Sequence, residues 1–401
     1  MNKKIVFITS SFPFGKSEVW AINEINSLID LGNEIIIIPR TGKGKIINQD
    51  AIKFIPNLID LPFMNFKIFI FLIKSIFFKP LFFLKVLIDS IKQSNTIIDI
   101  IKGLIILPKS LFLIKILKEK KIDHIHSMQT TSTAFMAHIL SSALKVSWSY
   151  TLHTSEILNS NFKRSILFYS QSATICRTIS QRTANDLSNF IGPSLSNKIA
   201  KIHLGVDIKG FKNEKSIIND PFIIATPAEL TTRKGQVYAI EASKKLIDLG
   251  ITNFKWIFFG SGPLLVDLKK KVTELNLIDY CHFPGNIDHQ QLLNKYENNE
   301  VDIVVISSIS SRVPEGIPVS LMEAMSYEIP VIATDCGGTK ELVDGRSGIL
   351  INQEDSEALK DAIFELIKKP ELRRKISKNG RNKIIQDFDT MKNAKDLMKL
   401  F

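Results

Sequence analysis

The sequence predicts an α/β chain of two domains, each built on a parallel sheet with helices on both faces. Three observations predict it. Short apolar runs such as "KIVFIT" and "NEIIIIPR" alternate with helical periodicity such as "EVWAINEINSLIDLG", the pattern of parallel strands buried on both faces. The alternation starts again after a polar stretch, "DIKGFKNEKSIIND" (207–220). The length, 401 residues, suits two domains at roughly 150 residues each. Each half is expected to be Rossmann-like. Two such domains facing each other form a cleft, with ligands beyond the carboxyl ends of the strands.

The first half supplies strands at "KIVFIT", "NEIIIIPR", "IDHIHS", "VSWSYTLH", "SATICRTIS" and "AKIHLG". The second supplies "FIIATPA", "KWIFFG", "CHFPG", "DIVVISS", "PVIATD" and "SGILIN". Helices such as "GQVYAIEASKKLIDLG" and "PLLVDLKKKVTELNL" lie between them. The expected domains are 1–210 and 217–385, with a closing helix in 386–401 packing back on the first. "DFD" (387–389) lies in that polar tail and reads as solvated helix rather than as a metal-binding Asp-x-Asp. The two histidines of "DHIHS", His124 and His126, share one face of a strand. Without a third ligand they rarely make a metal site, and His126 is placed at the cleft instead.

One segment breaks the alternation. Residues 61–118 are rich in Phe, Ile and Leu, carry a Lys every few residues, and are divided by Pro80 and Pro108. No stretch of the length a bilayer requires is free of charge, so a spanning helix is not expected. Residues 60–122 hold 11 Lys and 4 acids. Lysines interleaved with aromatic and aliphatic bulk suit helices lying in a membrane interface. The plainer reading is a pair of helices packed on the first sheet with lysine stems snorkelling outward.

The charge is one-sided. Residues 1–210 hold 26 Lys+Arg against 13 Asp+Glu, and the remainder 26 against 27. That asymmetry suits a polyanionic partner. The basic residues interleave with buried aliphatics rather than exposed polar groups, which favours an anionic membrane over nucleic acid. Three scattered cysteines, Cys176, Cys281 and Cys336, fit a reducing compartment and no disulfide framework. The apolar core of "MNKKIVFITSSFPFG" is too short for a signal peptide and reads as a first strand.

Chemistry gathers in "EGIPVSLME" (315–323). Pro318 fits the first position of a helix, which leaves Glu315 in the preceding loop and Glu323 in the second turn. The two carboxylates would stand on the order of 10 Å apart, too wide for a retaining glycosidase pair at roughly 5 Å. The helix start between them favours an anion such as a phosphate. A nucleoside diphosphate sugar has that layout. Acid placed for helix-dipole stabilisation is the alternative.

Around it, "SSRVPEGIPVSLMEAMSYEIPVIATDCGGTKELVDGRSGILI" (310–351) resembles the donor-site signature of the retaining, family-four (group one) glycosyltransferases of GT-B fold. "FFGSGPLLVDLKKKVTELNL" (258–277) and "KIHLGVDIKGF" (201–211) are similar to segments of that family. "SFPFGKSEVWAINEI" (11–25) and "SYTLHTSEI" (149–157) resemble the opening loop and the central His loop of its bacterial polysaccharide-assembly members. The likeness spans nearly the whole chain except 61–118.

The resemblance implies retaining transfer of a hexose from a UDP- or GDP-sugar to a hydroxyl of a lipid-linked or surface-glycan acceptor. Capsule, exopolysaccharide and lipopolysaccharide assembly are the settings. It implies no cofactor and no metal. The basic, apolar segment 61–118 adds the expectation of a cytoplasmic location, attached through that segment to the inner face of the membrane. Glu315 would lie by the donor sugar and Glu323 on the ribose. Lys234 would stabilise the leaving diphosphate, with Arg233 beside it. Gly260, Gly262 and Gly15 would let backbone approach the nucleotide, and Gly316, Ile317, Gly337 and Gly338 would complete the donor site. His153 would contact the sugar or position the acceptor.

Two positions depart from the family pattern. Glu229 stands where an Arg is usual, five residues before Lys234, and Glu328 where a Gly is usual at the end of the signature helix. A carboxylate cannot replace a phosphate-binding guanidinium. Glu229 therefore keeps in view a degenerate, non-catalytic scaffold of the same fold. A nucleotide-sugar epimerase of that fold is a further alternative.

Overall fold

The computed structural model describes residues 2–14, 18, 20–41, 44–46, 49–153, 162–208, 218–310 and 316–401. The chain divides into two compact units, 1–204 with 390–401, and 205–389.

The first unit holds six parallel strands: β1 (Lys4–Thr9), β2 (Glu34–Pro39), β3 (His124–Ser127), β4 (Ser147–Leu152), β5 (Ile175–Thr178) and β6 (Ile199–Lys201). Their order across the sheet is β2-β1-β3-β4-β5-β6. The apolar runs form strands because both sheet faces are covered. Val6, Ile8, Ile36 and Ile38 face one core, and Ile5, Phe7, Ile35 and Ile37 the other, as the two-residue period of a strand requires. The second core also takes helix α1 (Ala21–Asp30) and Ala394 and Leu397 of the last helix, Thr390–Leu400.

Residues 61–118 form three helices: α2 (Phe66–Phe78), α3 (Pro80–Gln93) and α4 (Ile97–Lys118). Pro80 opens α3, but Pro108 lies inside α4 without ending it. The break falls instead at Thr96. Its hydroxyl caps the Asp99 amide while the Asp99 carboxylate returns to the Thr96 amide, a reciprocal cap that fixes the helix start. One face of α4, with Ile106, Leu107, Leu111, Leu113 and Leu117, joins the first core, which also takes helix α5 (Ser132–Leu144). α3 and α4 touch closely at Gly103, where a Cβ would lie 2.5 Å from the Ser90 hydroxyl. The outer faces are apolar and open: Phe66, Phe77, Phe78, Leu81 and Ile97 are each at least 76% exposed. No described helix is long and apolar enough to cross a membrane.

Lys109 departs from the snorkelling pattern of its neighbours. It is fully buried, and its ammonium donates to the carbonyls of Pro39 (2.7 Å), Arg40 (3.1 Å) and Leu61 (2.7 Å). Burial pushes its pKa down to about 8. This side chain pins α4 to the end of β2.

The second unit repeats the layout with β7 (Phe222–Pro227), β8 (Phe254–Phe259), β9 (Cys281–Gly285), β10 (Ile303–Ile306), β11 (Val331–Thr334) and β12 (Ile349–Ile351). Its order is β12-β11-β10-β7-β8-β9. Among the described strands every pairing is parallel.

Replacing Lys109 by Met is expected to destabilise the first unit by about 2 kcal/mol or more, because it strands buried carbonyls without a donor. Urea unfolding of the full chain measures it.

Candidate functional site

In the second unit the chain winds from β7 through β8 to β9 on one side, then returns to place β10 on the other side of β7. The reversal lies between β7 and β10, and the crevice beyond their carboxyl ends is where such sheets take ligands. Two loops meet there. Gly235 has φ +61°, and a Cβ on it would lie 2.0 Å from the Ser307 carbonyl oxygen. The Ser307 hydroxyl donates to the Gly235 carbonyl at 3.0 Å, and the Ile309 amide to the Arg233 carbonyl at 2.8 Å. Arg233 and Lys234 end the short turn Thr232–Lys234, half-buried and fixed at the switch point.

After β10 the chain enters the helix Val319–Ser326. Pro318 is its N-cap, with extended backbone (φ −67°, ψ 114°), rather than its first helical residue. Proline's fixed φ suits either position, and ψ decides. The first amides of this helix have no intrahelical acceptor. A Cβ on Gly338 would lie 3.0 Å from Ile317, and Gly337 has φ +62°. The loop after β11 thus rests against Gly316 and Ile317 at the helix start. The helix ends near Glu328, which takes φ +56°, the left-handed conformation that a glycine adopts without strain.

Glu323 is buried and accepts a hydrogen bond from Nε2 of His289 at 2.7 Å. His289 opens the helix His289–Glu297 just after β9. The sequence reading gave it no role. Its signal was position, a histidine starting a helix shortly beyond a strand's carboxyl end.

Gly260 and Gly262 follow β8. A Cβ on them would lie 2.1 Å from the Ala228 carbonyl oxygen and 2.3 Å from that of Leu230. Their glycine requirement is already met by this protein backbone. Between the two contacts, Glu229 extends an exposed side chain.

In the first unit the reversal lies between β1 and β3. The Glu18 carboxylate accepts the amides of Ser10 and Ser11 at 2.9 Å and of Phe12 at 3.0 Å, shaping the loop after β1. His153 stands just past β4. Its Nε2 donates to the Met128 carbonyl at 2.8 Å, and its ring lies 4.3 Å from Trp20. A carbonyl only accepts, so the proton is on Nε2 and Nδ1 carries the lone pair. Burial, reinforced by Arg177, pushes the His153 pKa down to about 4. Arg177 pairs with Glu24 at 2.6 Å, both buried. At the same edge lies a cavity of about 230 Å³ lined by Arg40, Lys102, Ser132, Phe135, Phe162 and Tyr169 among others.

His126 does not line a cleft. It and His124 are fully buried, and all four ring nitrogens bond to the hydroxyls of Ser147, Ser149 and Thr151 on β4. Phe388, within "DFD", is also fully buried, so that stretch is not a solvated helix. Glu315 and Gly15 lie outside the described residues.

Residues 207–383 match a family model described as "Glycosyl transferases group 1". A Salmonella typhimurium protein, WcaL, whose name assigns it to colanic acid biosynthesis as a glycosyltransferase, is 34% identical over 198 residues, 48% of each chain. An Escherichia coli UDP-Gal:alpha-D-GlcNAc-diphosphoundecaprenol alpha-1,3-galactosyltransferase is 27% identical over 220 residues, 51% of this chain and 54% of the other. The chain spans about half the length of the curated relatives it matches. Anabaena Alr3699/HepE, solved in complex with UDP, superposes with a TM-score of 0.74 at 18% identity, covering 99% of this chain and 98% of the other. The fold is GT-B.

A histidine whose folded pKa lies below its unfolded value of about 6.5 contributes stability above that value, lost as pH falls. His153 should therefore cost the first unit on the order of 3 kcal/mol between pH 6.5 and 4. Urea unfolding across that range measures it, and His153→Asn should flatten the decline.

Proposed function

We propose that this chain, whose residues 207–383 match the group 1 glycosyl transferases, moves a hexose from a UDP- or GDP-sugar to a hydroxyl of a glycan acceptor in polysaccharide biosynthesis. One observation carries the reading. The Arg233–Lys234 turn follows β7 and the helix Val319–Ser326 follows β10, the two strands that flank the reversal of the second sheet. A cationic turn and a helix N-terminus at that edge suit a diphosphate.

The roles follow from that placement. Lys234 and the helix amides take up charge as the diphosphate leaves, without a metal. Glu323, oriented by His289, accepts the ribose hydroxyls. Gly316, Ile317, Gly337 and Gly338 shape the donor wall, and the family resemblance assigns Glu315 to the sugar. The same resemblance assigns Gly15 to the phosphates. His153, neutral with Nδ1 open, accepts from a sugar hydroxyl. In a retaining reaction the bond from the anomeric carbon to the diphosphate oxygen breaks as the acceptor oxygen bonds on the same face. The acceptor proton passes to the departing diphosphate.

The acceptor is proposed to be lipid-linked. The Escherichia coli relative named for a diphosphoundecaprenol-linked sugar supports this. So do the exposed apolar faces of α2–α4, laced with lysines. These faces would rest on the anionic cytoplasmic face of a membrane. Exposed Glu229, with an acid where the family has a guanidinium, favours a second reading, a scaffold that binds no nucleotide.

Release of UDP or GDP from a panel of UDP- and GDP-hexoses tests the main reading. Lys234→Ala and Glu315→Gln should each lower kcat/KM by about 10²–10³-fold. Wild-type rates in both overturn the assignment.

A further inference from the structure

The second cavity of interest lies far from this chemistry. It has a volume of about 620 Å³, within the roughly 300–1,000 Å³ of ligand pockets. Phe71, Phe82, Phe83, Leu111 and Ile114 form apolar walls from α2, α3 and α4. Lys74, Lys79, Lys115, Lys118 and Lys145 stand around them, exposed, with Glu119 the one acid of the lining. None of the five ammonium groups has an ion pair or hydrogen bond among the described residues. Phe78 belongs to the lining and is itself 82% exposed, so the cavity opens onto the apolar outer face of α2–α4.

We infer that this cavity binds one anionic phospholipid of the membrane, with an acyl chain among the phenylalanines and the phosphate among the lysines. The inference rests on the proposed membrane contact and sharpens it from a flat face to a discrete site. Apolar walls alone would accept any hydrocarbon. Five unpaired ammonium groups and a single carboxylate select an anionic head.

Position decides between a membrane lipid and the lipid carrier of the acceptor. Lys118 ends α4 ahead of β3, and Lys145 follows α5 ahead of β4. The cavity therefore borders the amino ends of the strands, whereas His153 lies past the carboxyl end of β4. Six strand residues separate the two edges by roughly 20 Å. A diphosphate joined directly to the reacting sugar cannot lie at the far edge while the sugar lies by His153. A lipid of the surrounding bilayer can, and it would hold the first unit in one orientation.

Native mass spectrometry of the full chain carried from mixed micelles tests the site, with phosphatidylglycerol, phosphatidylcholine and a polyisoprenyl phosphate offered in separate arms. One retained phosphatidylglycerol is expected. Ser142→Phe, which fills the cavity without changing charge, should abolish retention, yet leave cosedimentation with phosphatidylglycerol vesicles within about twofold. The double variant Lys115→Gln/Lys118→Gln should weaken retention about 30-fold, which is about 1 kcal/mol for each lysine. An unchanged unfolding midpoint confirms that each variant folds. Equal retention by Ser142→Phe, or none by the wild type, overturns the site. Retention of the polyisoprenyl phosphate in preference overturns its assignment to a bilayer lipid. Loss of vesicle binding by the wild type overturns the membrane contact itself.

Discussion

The candidate site depends on one close approach, that of Gly235 to the Ser307 carbonyl. No side chain fits between them, and the left-handed backbone at Gly235 would strain any other residue. The contact binds the loop after β7 to the loop after β10, the two loops that flank the reversal of strand order. Gly260 and Gly262 then lie against the carbonyls of Ala228 and Leu230, which locks the loop after β8 to the same edge. Backbone builds this crest, which carries the Arg233–Lys234 turn.

The first unit stabilises its edge differently, with buried polar groups that answer one another. Glu18 gathers three loop amides, and Arg177 joins Glu24 while also donating to the carbonyls of Ile202 and His203. His124 and His126 thread a ladder of hydroxyls on β4. Each group is costly to bury alone and tolerable only because its partners are fixed. His153 stands within this framework, which keeps it neutral and sets its tautomer.

The sheets were legible because strands buried on both faces must be apolar throughout, and runs such as "NEIIIIPR" have little other use. Strand order was not legible, since it depends on crossovers rather than on any run. The division of 61–118 was misread at Pro108. A proline forgoes one backbone bond, and the capping box at Thr96 with the buried face of α4 outweighs it. Lys109 reads like its neighbours in sequence, yet its three acceptors lie 48 to 70 residues away. The residues proposed for the donor side come from one compact motif, whereas His289 went unmarked because its partner Glu323 lies 34 residues further on. Gly260 and Gly262 were expected to let backbone approach a nucleotide. The neighbour that demands them in this structure is the chain itself.

The central claim is that the switch point of the second sheet binds a nucleoside diphosphate through Lys234 and the helix start. Calorimetric titration of the full chain with UDP and with GDP tests it most directly. The account predicts saturable one-to-one binding of one of them, weakened about 10- to 100-fold in Lys234→Ala, the worth of one charge-assisted contact. Absence of binding by both nucleotides, or equal binding by the variant, would contradict it.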